Sequence, residues 1–548
     1  MINNEVNRRR TFAIISHPDA GKTTLTEKLL LYGGAIRMAG SVKARKAAKY
    51  AVSDWMEIER QRGISVTSSV MQFQYDNFCI NILDTPGHQD FSEDTYRTLM
   101  AADSAVMLID GAKGVEPQTI KLFHVCRMRG IPIFTFINKL DRAIKDPFEL
   151  MDELEEVLGI HSYPINWPIG TDGDFKGIYD RSSGQILLFE GGQHGQTFVK
   201  SVSGSLDDPI FKETLGDYYY NRLCEELELL DGAGENFSLE AVLKGQLTPV
   251  YFGSAMTNFG VKPFLESFLE MAPPPSDRKA GDTVIKATDE FFSAFIFKIQ
   301  ANMNPAHRDR LAFARICSGK FIKGMNVYHV QGKKEIKLVQ PQQLMAQDRV
   351  TVEEAFAGDI IGLFDPGIFN IGDTLTTGDK NIAFDPIPMF PSEIFCKVAA
   401  KDSMKRKQFI KGMNQLSEEG TVQIFKKIDI GIEELIVGAV GSLQFDVLEF
   451  RLLNEYGVQI LRTTLPYRYL RWIKKLPVEY DRLNLPGSAM VARDLEERLV
   501  ILFENEWSIN WALEKNKGLE LTDMILELKK GPAAGTFFIY QSISFSLF

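Results

Sequence analysis

A loop near the N-terminus carries the residue types of a phosphate-binding site. It follows the pattern GxxxxGK[ST], with serine in place of the first glycine, and lies between an apolar strand and a helical segment. Backbone N–H groups of such a loop, together with the N-terminus of its helix, surround phosphate oxygens. Lys22 is expected to place a positive charge at the β- and γ-phosphates of a nucleotide, and the Thr23 hydroxyl to ligate Mg²⁺. The nucleotide-binding residues predicted here are Ser16, His17, Pro18, Asp19, Ala20, Gly21, Lys22 and Thr23.

Two residues of this loop depart from the usual chemistry. Ser16 has a Cβ where glycine would leave the backbone freer. Asp19 puts a carboxylate inside an anion-binding loop. A solvent-facing carboxylate is the favoured interpretation of Asp19, and a bound monovalent cation is the alternative.

A second motif follows an apolar strand and contains a metal-binding carboxylate and a histidine. We expect Asp84 to hold the metal through water, the Gly87 amide to contact the γ-phosphate, and His88 to orient the attacking water. A single histidine is usually structural, but its position directly after the DTPG sequence favours a catalytic role. The predicted residues are Asp84, Thr85, Pro86, Gly87 and His88.

A third motif, at the end of another strand, predicts which base is bound. The Asp141 carboxylate can accept from N1–H and N2–H₂ of guanine together, a donor pair that adenine lacks, so the site would select GTP or GDP. Ser254 and Ala255, after a later strand, would bring backbone amides near guanine O6. The alternative is a capped helix start. The motif comprises Asn138, Lys139, Leu140 and Asp141.

Between the first two motifs, Arg62-Gly63-Ile64-Ser65-Val66 lies where a mobile switch segment is expected. A hydroxyl there completes a Mg²⁺ shell when a γ-phosphate is present. Ser65 is the predicted ligand and Thr67 the second choice. Taken alone this signal is weak, because serine is common in polar loops.

Alternating strands and helices predict the fold that positions these motifs. Apolar strands over Phe12–Ser16, Ile80–Leu83, Ser104–Ile109 and Ile131–Ile137 alternate with helical segments such as Thr24–Tyr32. This pattern favours βαβ units and a parallel sheet covered on both faces. Ligands of such sheets bind at the carboxyl ends of the strands, where the motifs fall. The sequence therefore predicts an α/β P-loop GTPase domain.

The rest of the chain predicts further domains. Loosened, glycine-rich patterning suggests a subdomain inserted at about 159–248, and Pro273-Pro274-Pro275-Ser276-Asp277 is typical of a linker. Short alternating runs between glycine turns then favour a β-barrel, followed by mixed strands and helices typical of an α+β domain. The predicted divisions are 1–275 for the GTP-binding domain, 276–390 for the barrel, 391–523 for the α+β domain, and 524–548 for an extension of unknown structure.

Composition supports several cores in one globular chain. The 548 residues carry a formal net charge of −10 and are 45% hydrophobic, which is ordinary for a protein of two to four domains. The five cysteines show no CxxC spacing, so free buried thiols in a reducing compartment are expected. No apolar run reaches a membrane-spanning length and no signal peptide is recognisable, so a cytoplasmic protein without membrane contact is expected.

The net negative charge argues weakly against a broad nucleic-acid surface, but one basic stretch stands out. A solvated helix face and an RNA-contacting face are equal alternatives for it. It contains Lys397, Lys401, Lys405, Arg406, Lys407 and Lys411.

Taken together, the motifs resemble those of the translational GTPases, and most closely those of the bacterial peptide chain release factor 3 family. The similarity runs to about Asp523. Ser65 stands where elongation factors usually carry threonine, although the hydroxyl is kept, and residues 524–548 resemble nothing in the family. The resemblance rests on the phosphate loop 16–24, the switch 62–65, Asp84–Arg97, Phe297–Met303 and Gly438–Asp446.

The resemblance implies a ribosome-dependent GTPase that promotes dissociation of class I release factors after peptide release. It implies that the ribosome, through its RNA and proteins, is the partner and positions His88, and that the second and third domains contact the small subunit and its proteins. GTP or GDP with Mg²⁺ would be the ligands, and a monomer is expected.

Three alternatives remain at this point. An elongation factor G-like translocase or a ribosomal-protection protein would need further domains after the α+β domain. An elongation factor Tu-like tRNA carrier lacks the long insertion between Asp141 and Ser254. A non-hydrolysing GTP sensor is the alternative from another class, and the presence of His88 disfavours it.

Overall fold

The computed structural model describes residues 2–35, 59, 65–171, 174–189, 201–232, 236–301, 310–339, 341–345, 348–428 and 435–523. The switch positions Arg62, Gly63 and Ile64 and the extension 524–548 lie outside the described residues. Within the described part of the chain, every helix is too short or too polar to cross a bilayer. All five cysteines are free; four are buried and Cys224 is half-buried.

The first domain alternates strands and helices. Its strands are β1 (Arg9–Ser16), β2 (Ser69–Tyr75), β3 (Phe78–Asp84), β4 (Ser104–Asp110), β5 (Ile133–Asn138), β6 (His161–Pro164), β7 (Asn166–Ile169), β8 (Gly177–Asp180), β9 (Gln185–Phe189), β10 (Ser201–Ser205) and β11 (Leu247–Phe252). Its helices are α1 (Ile2–Asn7), α2 (Lys22–Tyr32), α3 (Ser92–Met100), α4 (Pro117–Met128), α5 (Pro147–Leu158), α6 (Pro209–Gly232, bent at Gly216), α7 (Leu239–Leu243) and α8 (Val261–Met271).

Among the described residues, seven strands form the central sheet in the order β2-β3-β1-β4-β5-β11-β6. Neighbouring strands run parallel except β2, which pairs antiparallel with β3. The strand β2, which the sequence analysis did not predict, therefore adds an antiparallel pair at one side of the predicted parallel sheet. Only Asp76 and Asn77 join β2 to β3, with Asp76 at a φ of 51°, and so short a connection permits only an antiparallel hairpin.

Helices cover both faces of this sheet, as expected. On one face α2 and α8 bury Leu25, Leu29, Phe264 and Phe268 against the strands. On the other face α3, α4 and α5 supply a second core. The carboxyl ends of the parallel strands β1, β3, β5 and β11 lie on the same side of the sheet, which brings together the sequence motifs that follow them.

The strand β1 begins three residues earlier than expected, at Arg9. Arg9 and Arg10 are only 6% and 8% exposed. The Arg9 Nε donates to Asp359 at 2.8 Å, and the Arg10 Nε donates to the Leu269 carbonyl at 3.0 Å. Distant partners thus allow two charged residues inside a strand, which the local pattern does not reveal.

The inserted segment forms its own small sheet. Strands β7 to β10 are antiparallel in the order β10-β9-β8-β7, while β6 belongs to the central sheet. The helix α6 packs beside this sheet, and the buried Trp167 donates from Nε1 to Glu226 at 2.7 Å.

The second domain is a β-barrel. Eight of its described strands form an antiparallel sheet around an apolar core that contains Ile296, Ala314 and Leu375. Its strands are β12 (Arg278–Ala280), β13 (Thr283–Ile285), β14 (Ser293–Ala301), β15 (Arg310–Ser318), β16 (Lys320–Ile322), β17 (Asn326–His329), β18 (Lys334–Lys337), β19 (Gln342–Met345), β20 (Asp348–Thr351), β21 (Glu354–Phe356), β22 (Ile360–Phe364) and β23 (Thr374–Thr376).

The third domain is α+β. Three described helices pack against its antiparallel sheet, whose described strands follow the order β27-β24-β26-β25-β29-β30-β28-β31. Its strands are β24 (Ile394–Ala400), β25 (Gln423–Lys427), β26 (Leu435–Ala439), β27 (Ile460–Thr464), β28 (Tyr469–Lys475), β29 (Met490–Asp494), β30 (Leu499–Phe503) and β31 (Glu520–Thr522). Its helices are α9 (Arg406–Glu418), α10 (Ser442–Tyr456) and α11 (Glu506–Lys515).

Buried ion pairs join the first domain to the barrel. Asp103 pairs with Arg278 at 3.1 Å and with Arg315, and Asp359 pairs with Arg9 at 2.8 Å. Removing one partner of such a pair is strongly destabilising because the other charge stays buried. These pairs fix the back of the first domain against the barrel.

Candidate nucleotide site

The phosphate loop depends on a glycine that lies against the base-reading motif. Gly21 is the N-cap of α2 and has a φ of 103°, a conformation that disfavours other residues. An added Cβ at Gly21 would also overlap the Asn138 side-chain amide. Gly21 therefore lets the loop turn into α2 while the two motifs stay in contact.

Lys22 and Asp84 form a buried pair at the start of this helix. Their side chains are 7% and 2% exposed, and the Lys22 Nζ lies 3.3 Å from Asp84 Oδ1. Among the described residues, neither the ammonium nor either carboxylate oxygen has a hydrogen-bond partner. Burying such groups without hydrogen bonds is costly. The pair fits a nucleotide, since phosphate oxygens would accept from Lys22 and metal-bound water would donate to Asp84. Thr23, in the first turn of α2, is half-buried.

The other loop residues have defined places. His17 donates its backbone N–H to the Thr119 hydroxyl at 3.2 Å, and its Nε2 lies 3.4 Å from the Glu116 carboxylate. Asp19 has a φ of 65° and an exposed side chain. That exposure agrees with the solvent-facing interpretation.

The DTPGH segment packs directly on the phosphate loop. The Thr85 hydroxyl donates to the Ile14 carbonyl at 2.7 Å, which ties the segment to β1. A Cβ on Gly87 would lie 3.4 Å from the Pro18 Cα, so the two loops are in close contact here. The Pro86 carbonyl accepts from the Thr95 hydroxyl at 3.3 Å, which joins the segment to α3.

His88 is the N-cap of a short 3₁₀ turn over Gln89–Phe91, and its side chain is 32% exposed. Its Nδ1 accepts the backbone N–H of Asp90 at 3.2 Å. The Asp90 Oδ1 lies 3.2 Å from the same nitrogen, so Asp90 contacts the imidazole through both its backbone and its carboxylate.

Asn138 connects the base-reading motif to both neighbouring loops. Its Nδ2 donates to the Ala20 carbonyl at 2.8 Å, and its Oδ1 accepts from the Ala255 N–H at 2.9 Å. Lys139 has a φ of 74° and donates to Asp110 at 2.6 Å. Leu140 is buried. The motif is thus held from three sides.

Asp141 is oriented by Ser254, whose hydroxyl donates to Oδ1 at 2.6 Å. The Ser254 backbone N–H donates to the Phe259 carbonyl at 2.9 Å. The N–H groups of Ser254 and Ala255, expected near guanine O6, are therefore both engaged inside the protein. Ser254 thus supports Asp141 and Ala255 supports Asn138, and the placement of their amides near guanine O6 stays a prediction.

The end of the switch segment lies beside the third domain. Ser65 is half-buried, and the next residue, Val66, packs in an apolar cluster with Phe91 and Val447. The buried Glu59 carboxylate accepts from the Val66 N–H at 2.9 Å and from the Thr67 N–H at 3.1 Å. Sequence reasoning missed Glu59, because a glutamate in a charged stretch gives no sign of burial.

Two acidic residues that the sequence analysis gave no role connect the first domain to the other two domains here. Asp94 lies 3.7 Å from the Lys298 ammonium, which belongs to the barrel and is 5% exposed. Burial raises the pKa of Asp94, but Lys298 and the hydrogen bonds from Ser68 outweigh burial and hold the pKa below its ordinary value. Asp90 contacts the third domain, where its Oδ2 accepts the Leu443 N–H at 2.8 Å. Both lie in the stretch that follows DTPGH in the sequence.

Three family models match the chain. The elongation factor Tu GTP-binding domain matches residues 7–274, elongation factor G domain 2 matches 291–378, and the C-terminal domain of class II release factor RF3 matches 384–513. The match to the release factor C-terminal domain favours a release factor over the elongation factor alternatives.

Named relatives match over nearly the full length. A peptide chain release factor 3 of Symbiobacterium thermophilum is 59% identical over 94% of this chain and 97% of its own. One from Listeria monocytogenes is 55% identical over 95% of this chain and 99% of its own. One from Rippkaea orientalis is 54% identical over 93% of this chain and 94% of its own.

A crystal structure from Thermus thermophilus matches with a TM-score of 0.67 and 23% identity, over 89% of this chain and 72% of its own. At that identity the match bears on the fold alone. It confirms, with the family models, the GTPase domain followed by a barrel and a C-terminal domain. The near-full-length identity to the named relatives and the release factor C-terminal model place this chain in the peptide chain release factor 3 family of translational GTPases.

Proposed function

We propose that this chain binds GTP and Mg²⁺ at the carboxyl edge of its central sheet and hydrolyses GTP on the ribosome with His88 as the catalytic residue. Membership of the family makes it a GTPase of translation termination. The observation that carries the site assignment is the buried Lys22–Asp84 pair, which lacks hydrogen bonds among the described residues and lies between the base-reading motif and His88.

At the phosphate end, the loop N–H groups and Lys22 bind the β- and γ-phosphates. Thr23 and Ser65 supply hydroxyl ligands for Mg²⁺, and Asp84 holds it through water. Held by these residues, Mg²⁺ would neutralise charge on the phosphate oxygens. Thr67 remains the second choice for the switch hydroxyl.

At the base end, Asp141 accepts from N1–H and N2–H₂ of guanine. The Ser254 hydroxyl holds one Asp141 oxygen at 2.6 Å, so the carboxylate is already oriented before the base arrives. Asn138 keeps this end in register with the phosphate loop through its bond to Ala20. The arrangement selects guanine, because an analogue without the donor pair leaves a polar acceptor unpaired.

His88 orients the water that attacks the γ-phosphate. The Asp90 backbone N–H and Oδ1 both lie 3.2 Å from Nδ1 and hold the ring through that nitrogen, which leaves Nε2 available for a hydrogen bond. The partial exposure of His88 leaves room for the ribosome to complete its placement. Positioned groups of this kind contribute about 10²- to 10⁴-fold to rate.

The ribosome is the partner, and class I release factors are the proteins whose dissociation the GTP-bound form promotes. Division near residues 275 and 390 gives three domains, of which the second and third contact ribosomal RNA and proteins. The chain acts as a cytoplasmic monomer. Exposed basic residues at the start of α9 suit an RNA contact: Lys401, Lys405, Arg406, Lys407 and Lys411.

A post-release ribosome carrying a labelled class I release factor tests the proposal. The factor should leave faster with this chain and GTP than with this chain and GDP, because only a ligand with different affinity for two states shifts their balance. His88→Ala should still expel the label but hydrolyse GTP at least about 10²-fold more slowly. Equal rates of expulsion with GTP and GDP would contradict the termination role. Undiminished hydrolysis by the variant would contradict the role of His88.

A further inference from the structure

The helix α10 of the third domain begins without a side-chain cap of its own. Its N-cap is Gly441, at a φ of −141°, which is extended backbone that any residue adopts. Conformational freedom therefore does not explain the glycine. An added Cβ would overlap the carboxyl group of Asp90, which belongs to the first domain. Gly441 leaves space for a side chain from another domain.

Asp90 fills that space and caps the helix. Its Oδ2 accepts the Leu443 N–H at 2.8 Å, in the first turn of α10. Its Oδ1 lies 3.2 Å from the Nδ1 of His88, and its backbone N–H donates to the same nitrogen. Asp90 is 5% exposed. One residue thus contacts both the imidazole proposed to act in hydrolysis and a helix of the third domain.

We propose that Asp90 is a positioning residue for GTP hydrolysis, which caps α10 across the domain boundary and thereby ties the orientation of His88 to the placement of the third domain. A displacement of α10 relative to the first domain would move the carboxylate and, with it, the His88 ring. The inference rests on the proposed role of His88.

The contact between Asp90 and α10 can be removed by mutation without separating the two domains. Val66, Phe91 and Val447 pack together beside it, so apolar contacts hold the two domains there without the cap. The Gln444 side chain accepts from the backbone N–H groups of Val440 and Gly441, so these two groups before the helix are satisfied without Asp90. Removing Asp90 therefore withdraws one cap and one neighbour of His88.

The experiment compares variants of the full chain with purified ribosomes. Asp90→Ala should lower the kcat of ribosome-stimulated GTP hydrolysis by about tenfold, the kinetic equivalent of one cap. GTP affinity without ribosomes should be unchanged. Gly441→Ala should lower kcat similarly, because its methyl group displaces the carboxylate. The double variant should be no slower than Asp90→Ala, since the methyl group then occupies the vacated space. Asp90→Asn should retain part of the rate, because its amide oxygen can still accept from Leu443.

The matched control is Asn505→Ala, which removes the N-cap of α11 in the same domain, where Oδ1 accepts the Ser508 N–H at 2.9 Å. It should lower the thermal midpoint but leave kcat unchanged, which separates stability from positioning. If Gly441→Ala keeps the wild-type kcat, or if the two substitutions act additively, the positioning role is wrong. His88→Ala in the same assay separates the two proposals. If His88→Ala loses hydrolysis while the Asp90 and Gly441 variants keep it, only the inference about Asp90 is rejected. If His88→Ala hydrolyses GTP at the wild-type rate, both proposals are rejected.

Discussion

The two ends of the nucleotide site differ in how their polar groups are satisfied. At the base end, Asn138 makes two hydrogen bonds within the protein, Asp141 is held by Ser254, and Lys139 is paired with Asp110. At the phosphate end, Lys22 and Asp84 are more than nine-tenths buried, and neither makes a hydrogen bond to any described residue through its charged group.

This difference indicates that the two ends do different work. A buried group without a hydrogen bond costs about 1–3 kcal/mol, so phosphate and metal-bound water would relieve a cost already present in the protein. The base end has little such cost, and its geometry is fixed in advance, which suits recognition. Asn138, with Gly21 packed against it, connects the two ends. The phosphate end should therefore govern how tightly a nucleotide binds, and the base end which nucleotide binds.

The largest expected effect is a change of base specificity. In Asp141→Asn the side chain keeps an oxygen for Ser254 and presents an amide that donates to the carbonyl of xanthine in place of the guanine amino group. The preference for GTP over XTP should change by about 10⁴-fold, as in sites that read a base or side chain by hydrogen bonds. Dissociation constants for both nucleotides measure it. A variant that still prefers GTP would show that Asp141 does not read the base.

The next effect concerns affinity without specificity. Lys22→Ala removes hydrogen bonds to charged phosphate oxygens and should weaken GTP and GDP alike by about 10²-fold, or about 3 kcal/mol. The guanine-over-xanthine preference should be unchanged. Lys244→Ala is the control, because the Lys244 ammonium makes an exposed pair with Glu240, and this variant should bind as wild type. Wild-type affinity in Lys22→Ala would remove this residue from the phosphate end.

The motifs and the layered fold can be predicted from the sequence because both depend on local patterns. Strand ends followed by Asp84 and Asn138 can be read from short windows, and parallel topology brings such ends together. The structure adds contacts between distant residues. Asp90 and Leu443 are 353 positions apart, and nothing near either one predicts the other.

Burial of charge was also hidden from the sequence. Arg9 belongs to the sequence Arg8-Arg9-Arg10, yet it lies inside β1 because Asp359 of the barrel pairs with it. Ala255 likewise donates its N–H to the side chain of Asn138, 117 positions earlier in the chain, and the local sequence around Ala255 does not reveal that contact. In both places the residue type was clear, and the partner came from another part of the chain.

A third prediction tests the connection between the two ends. Asn138→Ala leaves the Ala20 carbonyl and the Ala255 N–H without their partner in a buried region. Each such group costs about 1–3 kcal/mol, so the free energy of unfolding without nucleotide should fall by about 2 kcal/mol or more. Urea denaturation measures it. Asn454→Ala is the control, since the Asn454 amide donates to the Phe450 carbonyl at an exposed helix position and the variant should unfold as wild type. Equal stability of the two variants would mean that Asn138 does not join the loops.

The smallest effect should separate the two ends most cleanly. Ser254→Ala removes the hydroxyl that donates to Asp141 and accepts the Thr257 N–H at 3.2 Å, but touches nothing at the phosphate end. Loss of one hydrogen bond to a carboxylate corresponds to about 1.5 kcal/mol, so GTP should bind about tenfold more weakly. Inorganic tripolyphosphate has no base, and its affinity should not change. In Lys22→Ala the same probe should bind more weakly, because Lys22 acts on phosphate whether or not a base is attached. If Ser254→Ala weakens GTP and tripolyphosphate equally, the hydroxyl acts through the fold of the whole site, and the division between a recognising end and a binding end is wrong.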